Sequence, residues 1–255
     1  MAITPEVMRE TIKAVVVVQA TPFNRDGSLD LDGLKANTRF LVERCAGKRM
    51  VLVPTGSTGE AYALSDAERL KVIETVIDCA AGKLPVIAGT SKAGTDGTIE
   101  LSRAAQSAGA DGVQVILPYY HVPSEDGLVR HYLRLADALR IGVVIYNNTA
   151  VSKLWMPPHL MARCAEHPNI IGDKENTGEV TLYKAMRDAI DPAKMTVLCG
   201  LGDLQFAYTA ALGCPGFISI TANFAPELSL DLLEAADACD FVRVRDLMAK
   251  IGPLY

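Results

Sequence analysis

The sequence predicts an α/β protein folded as a (β/α)8 TIM barrel, and three observations predict it. Short β-branched runs alternate eight times with longer amphipathic stretches along 255 residues, a rhythm that builds a parallel sheet wrapped by helices. The strand runs are almost continuously apolar, as strands covered by helices are. No linker, low-complexity segment or composition shift divides the chain. The runner-up is an open doubly wound sheet. That fold wants a G-x-G-x-x-G turn after the first strand, and here Thr21-Pro22-Phe23 follows instead.

The elements follow in order. Strands are predicted at 14–19, 50–54, 85–89, 112–117, 142–146, 170–174, 195–199 and 216–220. The first contains the run Val15-Val16-Val17-Val18. Helices are predicted near 30–46, 65–81, 95–108, 125–140, 157–167, 178–190 and 203–213, with an eighth from about 226. Ser65 before Asp66 and Glu68, and Ser124 before Glu125 and Asp126, are helix starts. Pro157-Pro158 suits a first turn. Gly82, Gly109 and Gly213 mark helix ends. Residues 1–225 carry the barrel through its eighth strand. Residues 226–255 carry the eighth helix and the start of a C-terminal helical extension near Asp240. The apolar face left there reads as a truncated end.

Hydrophobic residues make up 49% and charged residues 22%, so a packed core is expected and disorder is not. Net charge is −5 and no basic stripe occurs, which argues against nucleic acid and anionic membranes as partners. The six cysteines form no C-x-x-C pair and read as free, buried thiols in a reducing compartment. The four histidines are scattered without ligand spacing, so no metal is expected. The start of the chain lacks an apolar signal core, and no run is long enough to span a bilayer. The expected location is cytoplasmic.

In a barrel of this kind the chemistry gathers at the C-terminal ends of strands. Strand six delivers Lys174, in Ile171-Gly172-Asp173-Lys174-Glu175. A lysine carried by an apolar strand loses solvent. Its charged form is then disfavoured, and a neutral amine can form a Schiff base with a ketone. On that stretch alone, a solvated loop lysine remains the alternative. After strand two comes Gly56-Ser57-Thr58-Gly59-Glu60, where glycines, backbone N–H groups and two hydroxyls can hold a carboxylate. Strand four ends in Pro118-Tyr119-Tyr120 and strand five in Tyr146-Asn147-Asn148. A lysine nucleophile, phenols to move protons and an anion nest suit chemistry on a 2-oxo acid.

These segments, with Thr21-Pro22-Phe23 and Ile218-Ser219-Ile220-Thr221-Ala222-Asn223, resemble the dihydrodipicolinate synthase / N-acetylneuraminate lyase family of class I aldolases over essentially the whole chain. The resemblance implies roles. Lys174 matches the Schiff-base lysine, so no external cofactor is needed. Tyr146 matches the proton-shuttling tyrosine. Ser57 and Thr58 match the pair that binds the pyruvate carboxylate, with Gly56, Ile218, Asn176 and Gly200 as further substrate-binding positions. Thr58 also matches the middle of a proton relay, and Tyr120 matches the relay tyrosine lent to a neighbouring subunit. A homodimer, or a homotetramer built as a dimer of dimers, is therefore implied.

Departures bear on the substrate. Dihydrodipicolinate synthases carry an arginine five residues after the strand-five tyrosine, which grips a second carboxylate. Val151 stands there, Thr149 replaces a proline, and Lys153 offers only a nearby point charge. Gly56-Ser57-Thr58-Gly59-Glu60-Ala61 looks more like the sialic acid lyase version. Yet the acidic pair those lyases use after strand seven is reduced to Asp203, and Asn176 replaces a hydroxyl residue. The expectation is a lyase acting on a 2-oxo acid through an imine on Lys174. It would cleave or form an aldol with pyruvate, or dehydrate a 2-keto-3-deoxy sugar acid. The alternative is 4-hydroxy-tetrahydrodipicolinate synthesis despite Val151. Two readings from other classes are a non-catalytic keto-acid-binding barrel and a metal-dependent class II aldolase. The latter lacks clustered ligands.

Overall fold

A computed structural model describes residues 3–255. The apolar runs form eight parallel strands: β1 (Val15–Val18), β2 (Met50–Val53), β3 (Ile87–Gly89), β4 (Gly112–Ile116), β5 (Gly142–Asn147), β6 (Ile170–Glu175), β7 (Thr196–Cys199) and β8 (Phe217–Ser219). They pair in the order β2-β1-β8-β7-β6-β5-β4-β3. The last seam closes where Leu52 bridges Val86 in parallel, the Leu52 N–H donates to Pro85 O at 2.9 Å, and the Gly89 N–H donates to Pro54 O at 3.0 Å. Closure excludes the open doubly wound sheet.

The helices are α1 (Pro5–Thr11), α2 (Leu31–Cys45), α3 (Asp66–Ala80), α4 (Thr95–Ala108), α5 (Glu125–Asp137), α6 (Thr149–Ser152), α7 (Pro158–Ala165), α8 (Val180–Ala189), α9 (Gly202–Ala210), α10 (Pro226–Asp237) and α11 (Phe241–Ile251). The expected starts hold for local reasons. Ser65 and Glu68 form a reciprocal capping box at α3, and Ser124 accepts from the Gly127 N–H at 3.2 Å to open α5. Gly109 ends α4 at a φ of 103°, a conformation that favours glycine.

Two apolar cores result. The larger lies between barrel and helices. The smaller fills the barrel with Val16, Val18, Val51, Val53, Ile87, Val144, Ile171, Leu198 and Ile218. Helix α1 has no counterpart in the sequence reading, because seven residues are too few to show a helical period. Thr4 caps it, Pro5 sits in its first turn, and Met8 with the following Ile12 plugs the barrel's lower end. Burying each of those two side chains contributes about 1.5–3 kcal/mol.

One irregularity decides where the strand-six side chains point. Val143 pairs with Ile170, but Val144 pairs with Gly172, so Ile171 is an extra residue in β6. Ile171 packs in the barrel interior, where its side chain fills the space a Cβ on Gly142 would need. Gly172 also faces inward: a Cβ there would come within 2.7 Å of Ile12 Cδ1. Strict alternation from Ile171 would turn Lys174 outward. The bulge resets the phase, so Lys174 faces inward while Asp173 and Glu175 face the helices.

All six cysteines are free, as expected. Four are buried, but Cys79 is only half-buried and Cys239 is exposed, which corrects the expectation that all six are core thiols. Among the described residues no group of histidines, cysteines or acids could hold a metal ion, and no helix is long and apolar enough to cross a membrane.

Candidate active site

Strand register puts Ile116, Tyr146, Lys174 and Leu198 at one level of the barrel. Lys174 is 3% exposed. Burial holds its pKa below the ordinary lysine value, and the neighbouring Tyr146 offsets that only in part. The Lys174 Nζ lies 3.6 Å from the centroid of the Tyr146 ring. The Tyr146 hydroxyl accepts from Asn148 Nδ2 at 2.6 Å. Burial pushes this phenol up, but the charge of Lys174 and the bonds from Asn148 and Ser57 outweigh it and hold it below the ordinary tyrosine value. The two groups are therefore linked: burial favours the neutral amine, while a charged Lys174 eases loss of the Tyr146 proton.

The ends of β5 and β6 are clamped. Asn147 Nδ2 donates to Glu175 Oε2 at 2.8 Å and to Met156 O at 3.0 Å, and its Oδ1 accepts from the Met156 N–H at 2.9 Å. Glu175 also accepts from Trp155 Nε1 and from the Thr177 N–H. This clamp fixes the two strands that carry the reactive pair.

The loop after β2 is drawn tight. Thr55 has a φ of 56° and Glu60 a φ of 54°, and Thr21 Oγ1 donates to Gly59 O at 2.7 Å. A Cβ on Gly56 would come within 2.5 Å of Val18 Cγ1, so only glycine passes β1 at that point. A cavity of about 480 Å³ opens beside it, walled by Gly56, Ser57, Gln114, Ile116, Tyr146 and Val151 among others. Lys174 is not in its lining. The amine stands against the Tyr146 ring. Also in the lining, Arg69 is buried with its Nε unpartnered, and Lys92 is paired with Asp66.

The chain matches the model of the dihydrodipicolinate synthetase family over residues 11–255. It belongs to that family. A 4-hydroxy-tetrahydrodipicolinate synthase from Methanospirillum hungatei is 40% identical over 237 residues, covering 92% of this chain and 80% of that protein. The pyruvate complex of the dihydrodipicolinate synthase from Acinetobacter baumannii superposes with a TM-score of 0.89 at 35% identity, over 95% of this chain and 82% of that one. YagE, a prophage protein of this family from E. coli K12 solved with pyruvate, superposes with a TM-score of 0.85 at 35% identity, over 92% and 78%. The chain is thus an enzyme of a class I lyase family.

Of the residues singled out by the sequence, Tyr146, Gly56 and Ser57 line the cavity, and Lys174 stands behind it against the Tyr146 ring. Thr58 is half-buried outside its lining. Ile218 packs in the barrel core. The Gly200 N–H donates to Glu175 O at 2.8 Å. A Cβ on Gly200 would overlap Asn176 Oδ1, itself buried without a partner. Tyr120 stands apart, 80% exposed, edge-on to the His121 ring. Lys153 is exposed and off the lining, so it brings no charge into the cavity that Val151 lines. Asp203 is fully buried, lies outside the cavity lining and accepts from Ser219, Ser229 and Tyr255, so it is committed to the fold and not to a ligand. The sequence reading missed the roles of Asn148 and Glu175. Their signal was adjacency alone: two asparagines after the tyrosine and an acid after the lysine.

Proposed function

We propose that this enzyme condenses pyruvate with an aldehyde through an imine on Lys174. The buried Lys174 amine, in register with the Tyr146 phenol, is the observation that carries the reading. The amine adds to C2 of pyruvate, and Tyr146 passes a proton to the departing water, leaving an iminium. The iminium draws electrons from C3, which loses a proton. The resulting enamine attacks the aldehyde carbon, whose oxygen takes up the proton that C3 gave, and water then hydrolyses the re-formed iminium to free Lys174. Asn148 holds the Tyr146 hydroxyl for these transfers. Ser57, with the backbone N–H groups around Gly56 and Thr58, takes the keto acid's carboxylate so that C2 stays within reach of the amine. The covalent imine replaces any external cofactor.

The names of the relatives favour 4-hydroxy-tetrahydrodipicolinate synthesis over the broader lyase reading that the sequence put first, and the solved pyruvate complexes favour pyruvate as the keto acid. A second reading, cleavage or dehydration of a 2-keto-3-deoxy sugar acid, is favoured by Val151, which cannot grip a second carboxylate. Exposed Tyr120 suits a phenol lent to another copy of the chain, with Thr58 linking it to Tyr146, in a dimer or tetramer. Borohydride trapping with pyruvate, read by peptide mass spectrometry, tests the imine. An adduct on Lys174 is expected. A folded protein that forms none with pyruvate or larger keto acids would refute the reading and leave the keto-acid-binding barrel.

A further inference from the structure

Asp173 and Glu175 flank Lys174 on β6 and face the opposite way, into the layer between barrel and helices. Asp173 is fully buried, its register partners are Ile145 and Val197, and neither carboxyl oxygen has a hydrogen-bond partner. The titratable groups facing it are the Tyr132 phenol from α5, the Cys164 thiol from α7 and the Glu175 carboxyl on its own strand. None is a cation. The Tyr132 hydroxyl is already committed to Val115 O at 3.1 Å, the Tyr183 hydroxyl of α8 to Val197 O at 3.1 Å, and Arg163 of α7 to Asp126. Glu175 is equally buried but accepts from Asn147, Trp155 and the Thr177 N–H.

A carboxylate with no donor in an apolar layer takes up a proton sooner than stay charged. Burial, and then the Glu175 charge, hold Asp173 well above the usual carboxylate range. Burial lifts Glu175 to about 7 against the pull of its donors. Side chains two apart on a strand share a face, and their Cα atoms lie about 7 Å apart, within reach of two carboxyls turned toward each other.

We infer that Asp173 carries a proton in the folded enzyme and shares it with Glu175, so that the pair behind Lys174 holds one negative charge instead of two. This rests on the imine reading for its bearing on catalysis. A second charge would repel Glu175 from the Asn147 clamp that ties β5 to β6. It would also favour the ammonium form of Lys174. Asp173 is thus a positioning residue for the Lys174–Tyr146 pair and touches no substrate.

The test is infrared difference spectroscopy of the whole chain with ¹³C-labelled aspartate, alongside the pH profile of the borohydride-trapped pyruvate adduct. Wild type is expected to show, at neutral pH, the C=O stretch of a protonated aspartic acid. Asp173→Asn should abolish the band, and Glu175→Gln should shift it by changing its acceptor. As the band disappears on the alkaline side, wild type should lose trapping reversibly. Asp173→Asn, whose amide imitates the protonated acid, should keep it. Should that variant not fold, Asp173→Leu serves for the same comparison. Absence of the band from wild type at neutral pH overturns the shared proton. Superimposable alkaline limbs in wild type and variant overturn the positioning role. No adduct in wild type at any pH refutes the imine reading, while the band still decides the protonation of Asp173.

Discussion

Lys174 and Tyr146 are cross-strand partners in direct contact: the amine lies 3.6 Å from the phenol ring's centroid, and both residues are at most 5% exposed. Neither can be moved without the other sensing it. Lys174→Ala should abolish the pyruvate adduct and activity while leaving the fold intact. Tyr146→Phe keeps the nucleophile and the ring but removes the proton carrier. It should cut kcat by roughly 10²–10⁴-fold, the usual worth of a positioned acid–base group, and still allow slow trapping on Lys174. Single-turnover trapping separates the two effects. Unchanged turnover in Tyr146→Phe would remove that residue from the mechanism.

The pH dependence of imine formation should report Lys174 directly. Burial lowers its pKa below the ordinary lysine value, so on the acid limb, before Asp173 loses its proton, the neutral fraction and with it the trapping rate should climb with pH and reach half-rise below the range of a solvated lysine. Tyr146 raises the Lys174 pKa, so Tyr146→Phe should move the half-rise to still lower pH. A half-rise at the ordinary lysine value in wild type would show an amine that is solvated when it reacts.

Stability should fall with rising pH over a window set by the β6 acids. Folded Asp173 and Glu175 keep protons that the unfolded chain has already released above the ordinary carboxyl range, so unfolding becomes easier as pH climbs from there through about 7 and beyond. Asp173→Asn should flatten that slope in urea denaturation measured at a series of pH values.

Val151→Arg should restore a grip on a second carboxylate. Val151 lines the cavity and is 46% exposed, so an arginine has room to turn inward. A charge-assisted hydrogen bond contributes about 1.5–3 kcal/mol, which corresponds to roughly a ten- to hundred-fold gain in kcat/KM for a carboxylate-bearing aldehyde. Aldehydes without that group should gain nothing. An equal change for both kinds of acceptor would show that position 151 does not read the substrate.

Gly142→Ala tests the bulge. A Cβ there overlaps Ile171 and lies within 2.9 Å of its Cγ1. Overpacking of this kind costs about 1–3 kcal/mol, and a domain of this size loses roughly 2–4 °C in Tm per kcal/mol. If Ile171 is expelled from the interior, the phase of β6 changes and the trapping yield should fall more than the stability loss explains.

Much of this was legible along the chain. The eight apolar runs, the capping serines and the strand-end motifs determined a barrel of known family and named Lys174, Tyr146 and Ser57, because periodicity, caps and local spacing are properties of neighbouring residues. The clamp from Asn147 to Glu175 was not legible, since its two members are 28 residues apart and meet only through strand register. Helix α1 was too short to show its period, and its burial depends on a barrel end formed by distant strands. Above all, the sequence alternates as though Lys174 should face outward from an inward Ile171. Only the paired β5 reveals that Ile171 is supernumerary. That single inserted residue, accommodated because Gly142 and Gly172 lack side chains, turns the lysine inward and the two acids away from it. Which face a residue takes is set by pairing across strands, and pairing is decided in three dimensions.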